Sequence, residues 1–317
     1  MTKQQPLGSG FGAKTTAREV LGDQRLDGRV VVVTGGAAGV GLETTRALAA
    51  AGATVVVGAR SIDRANAALA GVSGVEVDVL DLAEPASVDA FAARFAASGR
   101  AIHALVANAG IMAAPLARDA RGFESHLATN HLGHFQLTMR LWPALVRAGG
   151  ARVVSLSSRG HARAGVDFDD PNFERRPYDK WLAYGQSKTA NVLFAVALDA
   201  RGAPHGVRAF AVHPGAIVTD LMRHLDPAEA DAAVAAANKM PAGLKTAEQG
   251  AATSVWCATS PALDGLGGVY CEDVDVAAPA EETASVPRGV RAWAVDPEIA
   301  ERLFRVSEEW TSARFEG

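Results

Sequence analysis

Short, continuously apolar runs rich in valine alternate with longer helical patterns through most of this chain. That alternation constrains the fold more than any single motif. The strand candidates are Val30–Thr34, Thr54–Ala59, Val75–Val79, Ala104–Asn108, Arg152–Ser157, Val207–His213 and Val269–Val274. A strand with one solvated face alternates apolar with polar residues, whereas most of these stay apolar throughout and must be covered on both faces. Helical periodicity fills the gaps at 40–51, 63–70, 85–98, 121–147, 184–201 and 246–258, the last opened by the capping box Thr246-Ala247-Glu248-Gln249. Strand and helix in turn build βαβ units, whose right-handed crossovers lay the strands parallel with helices on both sides. The predicted architecture is a single doubly wound α/β domain, with a parallel sheet of about seven strands.

The flanks follow from the same pattern. Residues 1–27 form an arm, loose and polar through Gly12, then carrying a short helix opened by the capping box Thr16-Ala17-Arg18-Glu19 and ended near Gly22. Residues 28–276 carry the α/β pattern, and 277–317 form an extension with a helix. Two long segments, 159–183 and 216–243, leave the carboxyl end of the predicted sheet, where open α/β folds bind ligands. The second holds a small-residue helix over Pro227–Asn238 and reads as a substrate lid.

Charge and cysteine content narrow the function classes. A formal net charge of −4 gives no attraction for nucleic acid or an anionic membrane surface. Cys257 and Cys271 are too few for a disulfide framework and lack metal-site spacing, so a reducing cytoplasm is the expected location. No metal is expected either, since His131 and His134 stand three apart without a third ligand. The start of the chain lacks the apolar core of a secretory leader, and no apolar run reaches the length of a membrane span.

The first strand runs into Thr34-Gly35-Gly36-Ala37-Ala38-Gly39-Val40-Gly41 and then into a helix. Glycines at 35, 39 and 41 let the chain turn tightly and let the amides at the helix start approach a pyrophosphate. Gly35, Ala38, Gly39, Val40 and Gly41 are therefore the candidates on the phosphate side. At the end of the second strand, where an NAD-binding domain places an acid for the ribose hydroxyls, this chain has Ala59-Arg60. A guanidinium suits a 2′-phosphate, which favours NADP(H) over NAD(H).

Tyr184 and Lys188 stand four apart in a helical pattern and so share a face. A neighbouring ammonium favours the phenolate, and is expected to draw the tyrosine pKa down from about 10 toward working pH. That equips Tyr184 to exchange protons with an alcohol or carbonyl. Ser158 directly follows the fifth strand candidate, and strand alternation sends Ser157 to the opposite face.

Together these residues resemble the short-chain dehydrogenase/reductase family over about residues 28–275. The pieces stand in family order: Thr34-Gly35 with Gly39 and Gly41, Asp81-Leu82, Asn108-Ala109-Gly110, Asn130, Ser157-Ser158, Tyr184 with Lys188, and Pro214-Gly215 with Thr219. Asn130-His131-Leu132-Gly133-His134-Phe135, His161 and the run from Ser187 to Phe194 look like the retinol-dehydrogenase branch. Phe11-Gly12 to Leu21, and Gln249 to Ala252 through Gly267-Gly268, look like the dehydrogenase domain of WW-domain-containing oxidoreductase, without its WW modules.

The resemblance implies a Rossmann-type fold and hydride transfer between a nicotinamide and a carbonyl/alcohol pair. It implies Tyr184 as general acid in reduction and general base in oxidation. Lys188 would lower the phenol's pKa and bind the nicotinamide ribose. Ser158 would stabilise charge on the substrate oxygen, and Asn130 would hold a water for proton relay. Asp81 would contact adenine, Asn108 and Ala109 the adenosine side, and Ile217 and Thr219 the carboxamide end. Leu82, Gly110, Pro214 and Gly215 complete the cofactor-binding set.

Few charges flank these positions, so a lipophilic ketone, aldehyde or alcohol is the expected substrate. Arg163, Arg223 and His224 are the exceptions. An alternative from another class is a nucleotide-binding regulatory or scaffold protein with vestigial catalysis; the intact set of Asn130, Ser158, Tyr184 and Lys188 argues against it. Alkene reduction, epimerisation or dehydration with the same nicotinamide is a third reading. Finally, the helix from Ala190 to Leu198 is apolar nearly all round and must be covered on every side. That points to a homo-dimer or tetramer built on it and on the 121–147 helix.

Overall fold

The computed structural model describes residues 2–281 and 288–317. Met1 and residues 282–287, which the sequence pattern assigns to the arm and the extension, lie outside the described residues. In chain order the elements are α1 (Ala17–Leu21), β1 (Val30–Thr34), α2 (Gly39–Ala50), β2 (Thr54–Ala59), α3 (Ile62–Ala68), β3 (Val75–Val79), α4 (Pro85–Ala97), β4 (Ala104–Ala107), α5 (Gly133–Arg147), β5 (Ala151–Leu156), α6 (Lys180–Gly202), β6 (Val207–His213), α7 (Pro227–Asn238), α8 (Ala247–Thr259), β7 (Val269–Glu272), β8 (Asp275–Val276) and α9 (Pro297–Thr311). The strands form one sheet in the order β3-β2-β1-β4-β5-β6-β7-β8, parallel from β3 to β7.

The valine runs explain the layering. Val32 and Val56 enter a core shared with Phe91, Phe135, Phe194 and Phe304 of α4, α5, α6 and α9. Their neighbours Val31, Val33, Val55 and Val57 enter the opposite core, with Leu48 of α2 and Trp256 of α8. Strand order reverses between β1 and β4, so a crevice opens at their carboxyl ends. Among the described residues, no helix is long and apolar enough to cross a membrane.

Three departures from the sequence pattern have local causes. The run 269–274 is not one strand: Asp273 and Val274 take left-handed φ values of 51° and 63°, and β8 returns antiparallel to β7. Left-handed backbone is rare for a β-branched residue, and here Thr253 Oγ1 accepts the Val274 N–H at 3.1 Å while Lys245 meets Asp273 at 2.7 Å. The predicted 121–147 helix begins only after Glu124, whose carboxylate accepts the His126 and Leu127 N–H groups at 3.0 Å. Its first part, Leu127–Leu132, is a wide π-helical turn around Asn130. The tyrosine helix starts earlier than predicted, at Lys180, because Asp179 accepts the Trp181 and Leu182 N–H groups.

A further difference concerns assembly. The apolar outer face of α6 is covered within the chain: α9 lays Leu303 and Phe304 against α5 and α6, and both are buried. This side of α6 is thus covered by a helix of its own chain.

Candidate active site

The glycine turn is held open by packing. Gly35 has φ 63°, and a Cβ on Gly41 would stand 2.4 Å from both the Asn108 amide nitrogen and the Gly35 carbonyl oxygen. Asn108 donates to the Thr34 carbonyl at 2.9 Å, so its side chain fixes this turn. Thr34 Oγ1 accepts the Asn108 and Ala109 N–H groups at 2.9 and 3.0 Å and reaches His134 Nε2 at 2.8 Å. His134 Nδ1 in turn meets the Asn130 carbonyl at 2.9 Å. Burial pulls this histidine down to about 4, so the neutral ring donates at one nitrogen and accepts at the other.

Helix α2 starts at Ala38 with no side-chain cap, whereas Ser61, Asp179, Asp226, Thr246 and Asp296 cap α3, α6, α7, α8 and α9. Its first amides therefore face the crevice without a side-chain acceptor. Thr219 closes over the turn, since a Cβ on Gly39 would meet its Cγ2 at 3.2 Å. Ile217 and Val40 pack together against Gly250 of α8. These residues fit a dinucleotide: a crevice shaped by absent Cβ atoms, and helix-start donors for a pyrophosphate. Pro214 and Gly215 follow β6 at the same end, and Gly215, at φ 105°, accommodates the Lys245 side chain. Asp81 accepts the Ala83 N–H at 3.0 Å, which leaves its second oxygen open, and Leu82 is buried beneath Gly133. Arg60, just beyond β2, is exposed and makes no ion pair among the described residues.

Ser158, Tyr184 and Lys188 come together beside this crevice. Ser158 Oγ and the Tyr184 ring flank Gly160, where a Cβ would lie 3.5 Å from the first and 2.8 Å from the second, and Lys188 Nζ stands 5.7 Å from the tyrosine ring centroid. Ser157 points away, donating to the Lys188 carbonyl at 2.7 Å. Both serines lie just past the end of β5. The Ser158 backbone is fixed by His161, whose Nδ1 meets the Ser158 carbonyl at 2.7 Å and whose Nε2 accepts the Arg291 N–H at 3.2 Å. Gly110 fits closely here, because a Cβ would lie 2.9 Å from Asn130 Oδ1 and 3.6 Å from Lys188 Nζ. Asn130 accepts the Ile111 N–H at 2.8 Å and donates to the Ile111 carbonyl and to Ser187 Oγ. Its amide thus braces the segment after β4, a job that the sequence does not announce.

The electrostatics reverse one sequence expectation. Burial pushes the Tyr184 phenol up to about 12, against the smaller lowering effect of Ser158. Its neighbour is buried with it. Lys188 donates to the Leu156 carbonyl at 2.9 Å, and burial pulls its own pKa from 10.5 to about 8.

That shift has a measurable sign. The native state binds the Lys188 proton less tightly than the unfolded chain, so unfolding takes up a proton between pH 8 and 10.5. Stability should therefore rise with pH across this window, by about 3 kcal/mol in full. Below the window Lys188 adds nothing further to the slope. Urea unfolding across it should show the native protein gaining on Lys188→Met; parallel profiles would refute the shift.

The chain belongs to the short-chain dehydrogenase family, whose family model matches residues 29–230. A Streptomyces lividans protein named "probable oxidoreductase" is 48% identical over 298 residues, spanning 91% of this chain and 99% of that protein. Human retinol dehydrogenase 12 is 38% identical over 298 residues, spanning 92% of this chain and 89% of that one. The crystal structure of a Mycobacterium paratuberculosis protein matches with a TM-score of 0.72 at 34% identity, covering 94% of this chain and 98% of that chain. The protein is thus an oxidoreductase of a family that uses NAD(P).

Proposed function

We propose that this enzyme uses NADP(H) to reduce a ketone or aldehyde with an apolar body, or to oxidise the matching alcohol, with Tyr184 as general acid/base. The observation that carries this reading is the grouping of Ser158 and Tyr184 around Gly160, with Lys188 Nζ 5.7 Å from the tyrosine ring centroid and beside Gly110 after β4. A bound nicotinamide supplies or accepts the hydride; the chain's own residues manage position and protons. In reduction Tyr184, kept protonated by burial, donates to the substrate oxygen, and the Ser158 hydroxyl steadies charge gathering there. Lys188, anchored on the Leu156 carbonyl, favours the phenolate that results. Asn130 and His161 position the segments on either side.

Three apolar residues at the rim support this substrate class. Leu116 after β4, Leu182 at the start of α6 and Val218 after β6 are 45%, 38% and 61% exposed. All three leave the carboxyl side of the sheet, and such apolar rims suit a lipophilic body.

Arg60 at the end of β2 supports the preference for the phosphorylated cofactor. Arg60→Ala should weaken NADPH binding by about 10- to 100-fold, the size of a lost charge-assisted contact, and NADH binding far less. Fluorescence titration measures both, and equal losses would exclude the phosphate contact.

A further inference from the structure

We propose that Arg159 forms a carboxylate-recognising subsite in the substrate pocket, so that the carbonyl substrate bears a carboxylate on its otherwise apolar body. This rests on the reading of Ser158 and Tyr184 as the reaction centre. Arg159 directly follows Ser158, and its backbone is fixed on both sides. His161 holds the Ser158 carbonyl at 2.7 Å, and Gly160 lies so close to Tyr184 that a Cβ would stand 2.8 Å from the ring. From that anchored start the guanidinium reaches the sulfur of Met240, at the end of the lid segment. Its charge also reaches His213, Tyr270 and Glu272 at the carboxyl ends of β6 and β7. It therefore stands between lid and sheet, where a substrate in reach of Tyr184 would extend.

The guanidinium lacks a proper acceptor there. Arg152, Arg201 and Arg208 each meet a carboxylate at 2.6 to 2.8 Å. Arg159 makes no ion pair among the described residues, and a thioether is a weak acceptor. The nearby acids are committed elsewhere: Asp273 to Lys245 at 2.7 Å, and Glu272 to the Gly289 N–H at 3.0 Å and to Arg288 at 3.7 Å. In the same corner the Tyr270 hydroxyl is buried and has no hydrogen-bond partner among the described residues, its ring 4.9 Å from that of His161. A half-buried guanidinium without an anion gains little for the fold, whereas its planar fork matches a carboxylate bidentately.

Two readouts test this independently of one another. In the first, phenylalkanoates from phenylacetate to 5-phenylpentanoate, and their amides, are titrated into NADPH-loaded enzyme by nicotinamide fluorescence. At least one acid should bind about tenfold tighter than its amide, and Arg159→Met should remove that preference, with Arg159→Lys keeping part of it. In the second, 4-oxo-4-phenylbutanoate is compared with its methyl ester as substrate. Arg159→Met should lower kcat/KM for the acid about tenfold more than for the ester, chiefly through KM. Acids and amides that bind alike to the native protein would overturn the subsite, as would a loss of NADPH affinity in Arg159→Met matching the loss for the acid. Selective binding of the acids with no turnover of any ketone would instead keep the subsite and overturn the proposed reaction.

Discussion

Tyr184→Phe is expected to lower kcat for NADPH-linked carbonyl reduction by about 10²–10⁴-fold, the range lost with a positioned proton donor. NADPH affinity should hold. The variant removes one oxygen from a fully enclosed ring whose packing is otherwise kept: the ring lies 6.1 Å from His126, centroid to centroid, and seats Gly160 beside it. Ser158 Oγ keeps the Gly160 N–H that it already accepts at 3.0 Å, so the fold should survive. The phenol is pushed up to about 12 without cofactor, so reduction should not weaken through its ionisation at neutral pH. Single-turnover absorbance at the nicotinamide band, paired with a binding titration, separates chemistry from affinity. A scaffold with vestigial catalysis would show no difference between the two proteins. Turnover within about tenfold of the native enzyme would remove Tyr184 from the mechanism.

The sequence made the layered fold legible because its strands are buried on both faces. β1, β2 and β6 begin and end at the predicted residues, since apolar runs bounded by glycine and polar residues have few other homes, and β3, an alternating edge strand, does so too. Helix starts set by capping boxes, at Thr16 and Thr246, were equally plain. Legibility failed where a distant group decides the local outcome. Val274 turns against its β preference because Thr253 and the Lys245–Asp273 pair hold that corner. The glycine turn, Ser158, Tyr184 and Lys188 could be found from order and spacing. The state of the pair could not, because spacing says nothing about how deeply both side chains are buried. Arg159 escaped notice for the same reason: an arginine beside a serine is ordinary until its lack of an ion pair is visible.

The cover that α9 lays over α6 bears on assembly and carries a second large expected effect. Phe304→Ala is expected to cost about 3–5 kcal/mol in urea unfolding, as for a large aromatic removed from a core. Phe304 is 1% exposed, lies 5.0 Å from Phe135 and 6.3 Å from Phe194 between ring centroids, and carries Arg201 at 3.9 Å over its face. Around it, His131 meets Ser307 at 2.8 Å and Arg201 meets Glu301 at 2.6 Å, so α9 is tied to the first part of the Asn130 helix and to α6. An α6 that is apolar on every side needs a cover on every side, and a helix of the same chain supplies it at no cost in association entropy. Light scattering should therefore find the native enzyme free of dimers built on α5 and α6. Phe304→Ala, by loosening α9, should shift mass toward association through the uncovered face. A loss below about 1 kcal/mol, or a native dimer joined through α6, would show that α9 is an accessory and that the outer face belongs to a second subunit.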